Sequence, residues 1–131
     1  MTMRRLLAVF LIATFAASHA VAAPLGPGAR TEIDGLMSKL ETSGCEFNRN
    51  GTWYPATEVK AHLLRKLKYL EDRGAVQSAE QFIELGASSS SASGQAYLVR
   101  CGNGTPVTSR IWLLSQLQAM RAAGTGKGAA P

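Results

Sequence analysis

Between residues 30 and 121 the spacing of apolar positions changes several times, and each change marks an element. Ile33, Leu36, Met37 and Leu40 form one stripe at helical spacing, which predicts a first helix from Thr31 to Ser43. Thr31 and Asp34 stand at the spacing of a capping box, and Gly44 supplies the stop. Cys45 to Tyr54 alternates instead, around Asn50-Gly51, the dipeptide that a type I′ turn favours. A hairpin follows, with Arg49 opposite Thr52, Asn48 opposite Trp53 and Phe47 opposite Tyr54. Cys45, Phe47, Arg49 and Tyr54 then share the inward face, Arg49 reaches solvent at the turn, and Trp53 points outward.

Helical spacing returns from Pro55 to Arg73, with Ala56, Val59, Leu63, Leu67 and Leu70 as the apolar stripe. His62, Lys66 and Tyr69 line one flank of it, and Glu58 stands one turn before His62 as a pairing partner. Ser78 and Gln81 make a capping box for a short helix, Ser78 to Leu85, that turns Ala79, Phe82 and Ile83 inward. Ala87 to Gln95 is a serine-rich loop. Ala96 to Cys101 alternates again and reads as a strand beside the hairpin. Thr108 or Ser109 caps a last helix with Ile111, Leu114, Leu117 and Met120 inward. The Ala- and Gly-rich residues 122–131 read as a disordered tail. The expectation is an α+β domain over 30–121: about four helices on a small two- to three-stranded antiparallel sheet.

Residues 1–22 do not belong to that pattern. Arg4 and Arg5, the apolar run from Leu6 to Ala17 and the small-residue site Ala20-Val21-Ala22 have the order of a secretory signal peptide. The run is too short for a membrane span, which needs about 20 apolar residues. Residues 23–29, with two prolines and two glycines, form a flexible leader behind it. The expected address is outside the cytoplasm, periplasmic or secreted, with no membrane span after cleavage. Losing Arg4 and Arg5 lowers the net charge from +5 to +3. That excess is spread along the chain and does not point to nucleic acid. Cys45 and Cys101 are the two cysteines, and in an oxidising compartment they read as one disulfide.

The chemistry concentrates between the hairpin and the serine loop. Arg49, His62 and Lys66 are candidates for a cationic pocket, closed by Ser90, Ser91 and Ser93, whose hydroxyls and N–H groups suit an anion. A hydrolase would pair Ser90 or Ser93 with His62 or Lys66, but no Gly-x-Ser-x-Gly elbow is present. Once His19 leaves with the signal, His62 is the last histidine, so no metal site and no cofactor are implied. Trp53, on the outward face of the hairpin, is the anchor of an alternative, a protein-interaction module.

The order Phe47-Asn48-Arg49-Asn50-Gly51, His62-Leu63 with Lys66, Ser78-Ala79-Glu80-Gln81-Phe82-Ile83, then Ala87 to Gly94 with Tyr97, resembles the YfeK-like family of small exported bacterial proteins of unknown function. The resemblance spans about residues 30–120. It implies a single exported domain with no assigned activity, and it supplies no catalytic residues. It rests on polar side chains as well as on the core, which adds Glu80 and Tyr97 to the candidate ligand-binding set. The expected function is a non-enzymatic envelope protein that binds an anionic or sugar-like ligand.

Overall fold

The structure is a computed structural model describing residues 13, 15–18 and 24–128, without the side chains of 125–128. Most of the expected signal peptide and the end of the expected tail lie outside the described residues.

Helix α1 is Pro27–Thr42. It starts four residues before the expected Thr31, inside the expected leader. Pro27 suits the first turn because its missing N–H has no helical partner there. Gly26 is the N-cap, and its carbonyl accepts from the Arg30 N–H at 3.0 Å. Thr31 therefore caps nothing; its hydroxyl donates back to the Pro27 carbonyl at 2.9 Å.

Strands β1 (Glu46–Arg49) and β2 (Thr52–Pro55) form the hairpin in the expected register. Asn50 and Gly51 have φ of 52° and 87°, the pair of positive values a type I′ turn requires. Helix α2 is Ala56–Asp72 and helix α3 is Ala79–Gly86. Ser78 caps α3, accepting from the Gln81 N–H at 3.1 Å. The return bond of the box goes from the Gln77 N–H to the Gln81 side chain at 2.7 Å.

Strand β3 is Leu98–Arg100, strand β4 is Val107–Thr108, and helix α4 is Ser109–Gly128. The sheet has four antiparallel strands in the order β2-β1-β3-β4, not two or three. A two-residue strand is too short to show alternation, so β4 was invisible in the pattern. The helical backbone of α4 also covers residues 122–128, where a disordered tail was expected; Ala122 and Ala123 favour a helix there, and the three glycines after them do not.

The buried stripes of α1 and α2 are the expected ones: Ile33, Leu36, Met37 and Leu40, then Ala56, Val59, Leu63 and Leu67. On α4 the stripe is Ser109, Leu113 and Leu117, with Met120 partly buried against the core. Ile111, expected inside, is exposed: two residues before Leu113 places it about 200° around the helix. Phe47 and Val99 form the sheet's inner face, and Phe47 meets the edge of Trp112 at 5.7 Å between centroids. Pairing of Glu46 with Arg100 brings the flanking Cys45 and Cys101 opposite each other, and they form the disulfide.

Candidate functional site

The inner face of β1 runs from Phe47 to Arg49, so Arg49 leaves the sheet over α2 and not into solvent. It is half-buried, correcting the expectation of an exposed turn residue. Its guanidinium lies 5.1 Å from the ring centroid of Tyr54, and its Nε is buried without a hydrogen-bond partner. One turn of α2 separates His62 from Lys66, so both side chains leave the same flank. Tyr97, buried at the entry to β3, receives them. Its N–H donates to the Ser88 carbonyl at 3.0 Å, and its carbonyl accepts from the Ser109 N–H at 2.8 Å. The hydroxyl is thereby held against α2.

Lys66 Nζ donates to Tyr97 Oη at 3.3 Å and to the Ser89 carbonyl at 3.0 Å. His62 Nε2 lies 3.3 Å from the same hydroxyl. An ammonium only donates, so Tyr97 Oη accepts from Lys66; the hydroxyl keeps a proton to give and a second lone pair, and the direction of its contact with His62 Nε2 follows the imidazole tautomer. Burial first, then the charges of Arg49, Lys66 and Arg65, push the pKa of His62 down to about 4. The expected Glu58–His62 pair is replaced by this contact with Tyr97.

The charges of Arg49 and Lys66 are not matched. Seven of the nine acidic residues pair with other cations, and among the described residues none pairs with Arg49 or Lys66. Two of the three N–H bonds of Lys66 are committed, both to neutral oxygens.

The serine loop is built differently from the cradle that was expected. Ser90 Oγ accepts from Asn50 Nδ2 and from the N–H groups of Ala92 and Ser93, each at 3.3 Å. Ser93 Oγ donates to Asn50 Oδ1 at 2.6 Å and accepts from the Gln95 N–H. Asn50 thus clamps the loop to the hairpin tip with both ends of its amide. Ser90 and Ser93 are structural here, and neither hydroxyl bonds to His62 or Lys66. Ser89 reaches the site through its carbonyl alone, and Ser91 lies on the wall of a pocket of about 250 Å³ with Lys66, Tyr69, Leu70 and Leu85.

Glu80 stands elsewhere. It pairs with Arg121 of α4, which also holds Glu32 of α1 at 2.7 Å and keeps that carboxyl below its usual range. Trp53 is half-buried on the sheet's outer face. The Arg100 guanidinium lies 4.0 Å from its ring centroid and also donates to Glu46 at 2.6 Å. No cluster of three metal-ligating side chains exists among the described residues.

Two contributors escaped the sequence reading. Asn50 reads in the sequence as a turn former alone, and its amide does a second job. Leu85, on the outer side of the short third helix, carried no signal of its own.

Residues 27–121 match DUF5329, a family of unknown function. The chain belongs to that family. The match begins at the first residue of α1 and ends within α4, so it takes in the whole disulfide-linked sheet and the site. No curated protein and no solved structure matches the chain. Among the described residues, no helix is long and apolar enough to cross a membrane.

Proposed function

We propose that this DUF5329 chain is a non-enzymatic binding protein for a small anionic ligand, held between Arg49 and Lys66 over the Tyr97 hydroxyl. One observation carries it: two half-buried cations flank a neutral histidine, and no carboxylate neutralises them among the described residues. Desolvated cations without a partner are costly, and an anion arriving from solvent offsets that cost with charge-assisted hydrogen bonds. Arg49 Nε, buried and without a partner, is a donor of the right kind.

Export to the periplasm or beyond is part of the proposal. It is supported by the signal-like residues 1–22 and by the disulfide, which an oxidising compartment favours. Kinship with the YfeK-like exported proteins belongs to it too, on the polar order quoted above. The alternative, a partner protein docking on Trp53, has less behind it, since Arg100 already covers that ring.

Calorimetric titration of the purified protein with sodium sulfate at pH 7.5 tests the site. The expected result is saturable binding that Arg49→Gln and Lys66→Gln each weaken roughly tenfold or more, the value of one charge-assisted hydrogen bond. Equal affinity in both folded variants would refute the assignment.

A further inference from the structure

Lys66 belongs to two places at once. Its Nζ touches the polar cluster of Tyr97 and Ser89, and the residue also lines the pocket of about 250 Å³. The rest of that pocket is Tyr69, Leu70, Leu85 and Ser91, so its walls are chiefly apolar and Lys66 is the one charged residue on them. Tyr69 is 56% exposed and Leu85 52% exposed, although both are large apolar side chains. The Arg73 guanidinium lies 3.5 Å from the Tyr69 ring centroid and donates to the Tyr69 carbonyl, which holds the ring in place. The space equals about eight waters at bulk density, smaller than a drug-sized site.

From this juxtaposition we infer that the ligand is an amphiphilic anion: a small anionic head on Lys66 carrying one short alkyl chain laid along Leu70, Leu85 and Tyr69. The inference rests on the anion-binding reading of the same lysine and adds the chain. Charge complementarity selects the head, because Lys66, the charged residue of that lining, has no acidic partner among the described residues. Apolar burial selects the chain, because covering Leu85 and Tyr69 removes their exposed surface from water. A sugar, expected as an alternative ligand, would put hydroxyls against those walls without partners for them.

The test is a homologous series of carboxylates, acetate to octanoate, titrated below their micelle-forming concentrations at pH 7.5, with sulfate and hexanol as references. Affinity is expected to rise roughly fourfold per methylene until the pocket is full. Leu85→Gln, at an exposed helical position, is expected to flatten that rise. Lys66→Gln is expected to weaken every carboxylate, and hexanol is expected to bind far more weakly than hexanoate. If wild-type affinity is flat along the series while sulfate still binds through Arg49 and Lys66, the amphiphile is refuted and the anion site stands. A rise that Leu85→Gln does not alter also refutes it, since the chain then lies elsewhere. If neither sulfate nor any carboxylate binds, both readings fall together.

Discussion

Beside Arg49 and Lys66, the His62 imidazole keeps its proton only in acid well below the range of a free histidine. Folded, it titrates at about 4; unfolded, it returns to about 6.5. Between those values the unfolded chain binds the extra proton, so the native state gains stability as pH rises from 4 to 6.5 and the gain levels off above. Glu32, whose pKa is lowered by Arg121, acts in the same direction from below its usual value, so wild type alone does not isolate the histidine. The difference between wild type and His62→Gln does. Urea unfolding at pH 4.5, 5.5 and 7 is expected to show a steeper loss of stability toward acid in wild type than in the variant. Parallel curves would mean that His62 is not perturbed by its neighbours.

At the scale of elements, the joint between the hairpin tip and the serine loop decides whether the site holds its shape. Asn50→Gly keeps the positive φ of the turn and deletes only the amide clamp on Ser90 and Ser93. The expected outcome is a loss of about 1 kcal/mol and faster hydrogen exchange at residues 90–95, with the hairpin amides unchanged. Most of the elements could be read from the chain, because α1, α2 and α3 carry single apolar stripes and Asn50-Gly51 fixes the hairpin register. What stayed hidden was short or non-local. The two residues of β4 show no period, and the first turn of α1 depends on Pro27 and not on apolar spacing. Of the candidate site, Arg49, His62 and Lys66 were grouped by the sequence reading, since helical spacing sets two of them on one flank; Tyr97 entered only through the family resemblance. The serines misled, because a hydroxyl-rich loop looks the same in sequence whether its hydroxyls face a ligand or an asparagine 40 residues away. Glu80 misled for the same reason: its partner Arg121 is remote in sequence.

For the whole molecule, the Cys45–Cys101 link closes a loop of 56 positions and joins β1 to β3 at the end of the sheet away from the site. On the chain-entropy argument it contributes about 4 kcal/mol, a large part of the net stability of a domain this size. A Cys45→Ala/Cys101→Ala variant is expected to unfold at much lower urea and yet, where folded, to bind sulfate as wild type does, because no site residue touches either sulfur. Loss of sulfate binding in the folded variant would tie the disulfide to the site.

The most direct test of the account is an NMR pH titration of the His62 imidazole, with and without saturating sulfate, assigned by its absence in His62→Gln. Burial first, and then the charges of Arg49, Lys66 and Arg65, hold the free pKa at about 4; an anion between Arg49 and Lys66 offsets their part of that field, so sulfate is predicted to move it upward, with affinity rising as pH falls. A pKa near 6.5 without sulfate, or one at about 4 that sulfate leaves unmoved, would contradict the claim that Arg49, His62 and Lys66 form one anion site.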